Sequence, residues 1–172
     1  MARAIQGLDP IIEEEKPDVI ISQGDTSTAM VAALAGFHKG VKVVHLEAGL
    51  RTGNIFSPFP EEANRKIIGQ ITSLHLAPTN ESRENLRREN FRSKDIVVTG
   101  NTVIDALLAA SEWDVQFDDP RLEELRSSDE KLVLVTTHRR ENLDAMKEIG
   151  GAVQDLAKSC LLYTSDAADE RS

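Results

Sequence analysis

Cys160 is the only cysteine in the chain, so no internal disulfide can form. That usage fits a reducing compartment. No apolar stretch approaches the roughly 18 residues that would span a bilayer, and residues 1–10 contain no apolar signal core. Positive charge is in deficit: 20 Lys and Arg stand against 29 Asp and Glu, for a net charge of −9. Nucleic acid and anionic membranes both call for a basic face, so the chain is expected to take neither as its main partner. A few local cations would still suffice for one diphosphate. No His/Cys cluster has metal-site spacing. A full glycine-rich dinucleotide fingerprint and a P-loop are also missing, so no metal and no NAD or ATP cofactor is expected. The chain reads as soluble and cytoplasmic. No internal repeat or long low-complexity segment appears.

What is present supports a packed core: 40% of the residues are hydrophobic and 28% charged, close to globular averages. Short apolar runs alternate with longer amphipathic ones. Strands are predicted at 19–21, 41–45, 74–77, 96–98 and 132–135. Helices are predicted at 28–37, 61–71, 81–89, 103–110 and 142–158. Pro60 ahead of the 61–71 helix suits a first turn. Strands alternating with helices imply βαβ crossovers, hence an α/β fold with a mostly parallel, Rossmann-like sheet. The strands are apolar and non-alternating, as expected when both faces of a sheet are covered. The acidic stretch 113–130 breaks the rhythm and reads as a linker or as the entry to a second domain. Residues 160–172 turn small and acidic where a strand is due, and read as a non-native or disordered tail.

In an open parallel sheet, ligands sit at the carboxyl ends of the strands. Here those ends carry Gln23-Gly24-Asp25-Thr26, then His45 and Glu47, then Thr79, Gly100-Asn101-Thr102, and Thr136-Thr137-His138-Arg139-Arg140-Glu141. Asp25 has two readings, a helix N-cap or a catalytic acid. Glu47 is costly just beyond a buried strand unless it is paired, with Arg51 the nearby cation, or functional. Glu61 suits a helix first turn, with Arg65 at i+4 as its ion-pair partner. His138 with Arg139-Arg140 suits a diphosphate before a helix N-terminus, or forms a solvated basic turn. His45 and His75 read as packed or hydrogen-bonded side chains. His38 reads as exposed at a helix end.

Several of these runs together resemble the non-hydrolysing UDP-N-acetylglucosamine 2-epimerases. They are Gln23-Gly24-Asp25-Thr26, His45-Leu46-Glu47-Ala48-Gly49-Leu50-Arg51-Thr52-Gly53, and Ser57-Pro58-Phe59-Pro60-Glu61-Glu62-Ala63-Asn64-Arg65. Further along come Ala77-Pro78-Thr79, Thr99-Gly100-Asn101-Thr102-Val103-Ile104-Asp105-Ala106, and Val135-Thr136-Thr137-His138-Arg139-Arg140-Glu141-Asn142. The resemblance implies two Rossmann-like domains, similar to a class of glycosyltransferases, with the active site between them. Residues 1–112 would belong to the first domain and 113–159 to the start of the second. It implies interconversion of UDP-N-acetylglucosamine and UDP-N-acetylmannosamine, by elimination of UDP and its re-addition, on the way to a surface polysaccharide. Asp25, Glu47, Glu61 and His138 would then be catalytic. Arg65 and Arg139 would bind substrate, Arg139 toward a neighbouring regulatory position. A homodimer is implied for the intact protein. Family members are roughly twice this long, so the chain is expected to be a fragment with little activity of its own. A hydrolysing 2-epimerase, a glycosyltransferase of the same fold and a non-catalytic nucleotide-sugar-binding module remain as alternatives.

Overall fold

A computed structural model describes residues 1–128, 133–137, 143 and 145–160. The chain divides into two units, Met1–Trp113 and Asp114–Ser172. The first unit holds helix α1 (Ala2–Glu15), strand β1 (Val19–Gln23), helix α2 (Ser27–His38), strand β2 (Lys42–Leu46), helix α3 (Glu61–Ile71), strand β3 (Leu74–Ala77), helix α4 (Asn80–Arg88), strand β4 (Ile96–Val98) and helix α5 (Thr102–Ser111). The four strands are all parallel and lie in chain order, β1-β2-β3-β4. This is the α/β parallel sheet expected from the alternating pattern.

Right-handed crossovers between strands in that order bring α2, α3 and α4 to one face of the sheet. Ile20, Ser22, Val43, His45, His75 and Ala77 point to that face under the period of two. Ser22 Oγ donates to the Ala29 carbonyl of α2 at 2.8 Å, and Phe91, just after α4, lies against His75. Two apolar clusters fill this layer. One joins Met30, Val31 and Ala33 to Val43 and Ile68, and the other joins Ala48, Ala77, Leu86 and Ile96. The opposite face differs from the expectation of cover on both sides, because Ile21 is 65% and Val97 45% exposed. An unbroken β-branched run satisfies either arrangement, so composition could not separate them.

Two helices were not foreseen. In α1, Gly7 and Pro10 argue against a helix, yet Ile5, Leu8 and the buried Ile12 fall on one stripe, with Ile5 and Leu8 packed against the cluster that α2 joins. In the second unit, α6 (Pro120–Ser127) occupies the stretch read as a linker or as the entry to a second domain. Asp119 Oδ1 accepts from Arg121 N at 3.0 Å, and Pro120 takes the first turn. Arg126 then ties α6 to the segment before it, through the Val115 carbonyl and Asp114 Oδ1, both at 2.7 Å. Helix α7 (Met146–Cys160) starts later than the 142–158 helix predicted, and Asn142 lies outside the described residues. The strand predicted at 132–135 does not form over 133–135, where Leu134 is 87% exposed. An apolar run becomes a strand only when a neighbouring strand takes up its N–H and C=O groups. Leu132 and residues 161–172 lie outside the described residues.

Candidate active site

The polar residues at the strand ends divide into those that cap helices and those that do not. Thr26 Oγ1 accepts from Ala29 N at 3.1 Å and caps α2, Thr79 Oγ1 accepts from Ser82 N at 3.1 Å and caps α4, and Asn101 Oδ1 accepts from Val103 N at 3.0 Å and caps α5. Asp25 is therefore not the N-cap of α2. Its carboxylate is engaged elsewhere, by a side chain far along the chain.

That side chain is Arg65. Its Nε donates to Asp25 Oδ2 at 2.8 Å, and Nη2 closes on the same oxygen. Asn64 Nδ2 donates to the Asp25 backbone carbonyl at 2.8 Å. The first turns of α3 are thus docked on the β1–α2 turn. Glu61 shares the helix face of Asn64 and Arg65, at i−3 and i−4 from them. The i, i+4 ion pair of Glu61 with Arg65 does not form. Arg65 Nη1 instead meets Glu62 Oε2 at 3.1 Å, and Glu61 has no charged partner among the described residues.

Glu47 follows β2 directly, beside the Asp25 turn. Gln23 and Leu46 are in register at the ends of β1 and β2, and Gly24 N donates to the Leu46 carbonyl at 3.0 Å. Gly24 has φ +73°, and a Cβ there would lie 3.4 Å from Glu47 Oε2. The Glu47 carboxylate therefore rests against the turn that carries Asp25. Glu47 itself has φ +65°, a left-handed conformation that costs a non-glycine residue about 1 kcal/mol or more. Strain of this kind gathers at functional sites. No cation pairs with Glu47 among the described residues, and its one polar contact is a long one, Gln23 Nε2 to Oε1 at 3.5 Å. Arg51, the partner considered from sequence, is turned away. It forms a two-pronged pair with Glu89, Nε to Oε1 at 2.9 Å and Nη2 to Oε2 at 2.8 Å. Lys66 adds a third contact to Glu89 at 3.0 Å. Arg51 and Lys66 hold the Glu89 carboxyl well below the usual range, at about 2.

Behind the acids lie His45 and His75, paired in register on β2 and β3 and each 1% exposed. His45 Nε2 donates to the Gly24 carbonyl at 2.8 Å. The carbonyl can only accept, so this assigns the Nε2–H tautomer. His75 Nδ1 has no hydrogen-bond partner among the described residues, and its ring lies 4.7 Å from that of Phe91. Burial pushes the His75 pKa down to about 4, with the neighbouring His45 as the next cause. Burial also lowers that of His45. The unfolded chain then binds protons near pH 6.5 that the folded one refuses. Stability is thus full above pH 6.5 and declines as the pH falls toward 4, by about 3 kcal/mol for His75 alone. Urea unfolding at pH 7.5 and 4.5 should show that decline, and His75→Leu should lessen it. An unchanged slope in His75→Leu would contradict the assignment.

Asp25 and Glu47 are therefore neighbours at one end of the sheet, and the first turns of α3, which carry Glu61, dock there through Asn64 and Arg65, with Glu62 bound to Arg65. His138 and Arg139 lie outside the described residues. Sequence reasoning missed Glu62, Asn64 and the His45 bond to Gly24. The i, i+3 spacing of Glu62 and Arg65 was a visible signal for the first. Among the described residues, no group of three or more His, Cys, Asp or Glu side chains is placed to hold a metal ion, and no helix is long and apolar enough to cross a membrane.

The family model described as UDP-N-acetylglucosamine 2-epimerase matches residues 1–171. The chain belongs to that family. UDP-N-acetylglucosamine 2-epimerase of Escherichia coli K12 is 46% identical over 162 residues, which is 90% of this chain and 43% of the relative. A putative 2-epimerase of Clostridium acetobutylicum is 49% identical over 141 residues, 82% of this chain and 37% of its own length. The chain thus spans about two fifths of the curated 2-epimerases it matches. Among solved structures, a putative 2-epimerase from Listeria monocytogenes superposes with a TM-score of 0.83 at 42% identity, over 92% of this chain and 41% of that one. The Neisseria meningitidis 2-epimerase, solved with UDP-N-acetylglucosamine bound, gives 0.81 at 39% identity, over 92% and 44%.

Proposed function

We propose that the protein carrying this chain interconverts UDP-N-acetylglucosamine and UDP-N-acetylmannosamine, and that Asp25, Glu47 and Glu61 act on the sugar ring. The observation that carries this reading is the placement of Asp25 and Glu47 side by side at the ends of paired strands, with neither carboxylate used as a helix cap. The C2 hydrogen of the substrate has no adjacent carbonyl and is a poor acid. It becomes removable as the C1–oxygen bond to the diphosphate breaks and positive charge builds at C1. A carboxylate takes the C2 proton, the bonding pair forms the C1=C2 double bond, and UDP departs with the C1–oxygen pair. Return of UDP to C1, with protonation of C2 from the other face, gives the epimer. One carboxyl cannot reach both faces, so inversion requires at least two. Carboxylates also stabilise the charge that develops at C1. Glu47 and Glu61, free of charged partners among the described residues, suit proton transfer. Asp25, held on Arg65, suits charge stabilisation. His138 is assigned to the departing diphosphate and Arg139 to nucleotide-sugar binding. Residues 1–112 are assigned to one Rossmann-like domain and 113–159 to the start of another.

Proton NMR of UDP-N-acetylglucosamine incubated with the protein in D2O tests this directly. The expected product is UDP-N-acetylmannosamine, with deuterium at C2 in both epimers. Release of free N-acetylmannosamine with UDP would favour a hydrolysing enzyme instead. Binding without turnover would leave a nucleotide-sugar-binding module.

A further inference from the structure

Glu62 is 0% exposed, the most deeply buried acid near the site, and none of the roles above employs it. A buried carboxylate is costly unless its oxygens are matched by donors and its charge by a cation. Both conditions are met here in a particular way. Oε2 receives Arg65 Nη1 at 3.1 Å, and Oε1 receives the backbone N–H of Gly53 at 3.3 Å. Arg65, in turn, presents Nε and Nη2 to Asp25 Oδ2. The result is one continuous line of contacts: Gly53 N–H, Glu62, Arg65, Asp25. It joins the loop after β2 to the acid after β1 through a helix that carries Glu61.

We propose that Glu62 is a positioning residue, which fixes the Arg65 guanidinium on Asp25 and sets the Gly53 loop in register with it. The inference deepens the functional reading above and rests on it. A planar guanidinium bound by one acid can swing about that contact. Bound at opposite edges by two, it has one orientation. Glu62 supplies the second edge from inside the protein, where water does not compete. Asp25 is then held where the sugar ring has to be met. An apolar residue at position 62 would fill the space and leave Arg65 without its second anchor.

The test is a double-mutant cycle on kcat and KM in the protein that carries this chain. Glu62→Gln keeps the volume and an acceptor for Gly53 N–H but removes the charge facing Arg65. It should lower kcat roughly 10- to 100-fold with little change in KM, as expected for a small misplacement of a reacting group. In the Asp25→Asn background it should lower kcat no further, because it acts through Asp25. A residue that served only to hold the fold would give losses that multiply. If Glu62→Gln does not fold, Arg65→Lys decides, since one ammonium cannot bridge two acids as a fork does. It should show the same kcat loss and the same non-additivity. Wild-type kcat in Glu62→Gln, or multiplying losses with Asp25→Asn, would overturn the inference while the functional reading stands. Wild-type kcat in Asp25→Asn would overturn the functional reading, and this inference with it.

Discussion

Replacing Gly49 with alanine should destabilise the protein by about 3–5 kcal/mol, close to the whole stability of many domains. Gly49 has φ +91°, so any side chain there is strained. A Cβ would also lie 2.2 Å from the Ser82 carbonyl oxygen and 2.8 Å from the Ser82 carbonyl carbon. Those are backbone atoms of α4, fixed within a helix, and they cannot turn aside as the end of a flexible side chain can. The contact is further pinned by Asn85 Nδ2, which donates to the Gly49 carbonyl at 3.0 Å. Either the loop after β2 lifts off α4 or α4 moves off the sheet, and both routes open the cluster of Ala48, Ala77, Leu86 and Ile96. Gly40 is the control. Its φ is +74° but no atom lies within 4 Å of its added Cβ, so Gly40→Ala should cost only about 1 kcal/mol. Urea unfolding of both variants measures the difference. Equal stabilities would show that the Gly49 contact relaxes freely.

Glu47→Gln should abolish most of the turnover and spare the fold, with kcat falling roughly 10²- to 10⁴-fold, the range for a positioned acid or base. The amide has the same shape and can meet Gln23 as the carboxylate does. No ion pair among the described residues is lost, because Arg51 is committed to Glu89. Relief of a half-buried carboxylate with no cation paired to it among the described residues should leave the thermal midpoint unchanged or slightly higher. KM should move little if the group acts mainly in the transition state. The same D2O experiment provides the readout, since C2 deuteration should fall in step with epimer formation. A Glu47→Gln protein of normal activity would remove Glu47 from the chemistry.

The sequence made the crossovers of the first unit legible. Glu61–Ile71, Leu74–Ala77 and Ile96–Val98 stand where the apolar runs and Pro60 predict them. These segments carry their signal locally, in β-branched runs and first-turn residues. α1 was hidden because Gly7 and Pro10 weigh against a helix whose stability comes from packing on α2. The run at 133–135 misled for the opposite reason, since its local signal was sound but depended on a neighbouring strand. For the candidate site, the sequence pointed to Asp25, Glu47 and Glu61 and left each with a bland alternative. Those alternatives turned on which partner each residue chose. Arg51 bypasses Glu47 for Glu89, 38 residues away, and Arg65 bypasses Glu61 for Asp25, 40 residues away. Side chains of one charge type are interchangeable to a reader of sequence, and only the fold selects among them. Glu62 was overlooked because burial, not residue type, distinguishes it from its neighbour Glu61.

The strand order has one last consequence, for how the molecule comes to exist. Every strand lies beside the one that precedes it in the polypeptide, so each pairing closes a single crossover and nothing longer. The entropic penalty for closing such loops rises slowly with length, and a pairing that skipped a strand would close a longer one. Asp25, Glu47 and Glu61 all belong to the turns and the helix between β1 and β3. The elements that carry them can therefore be brought together by the pairing of three successive strands, without the rest of the sheet.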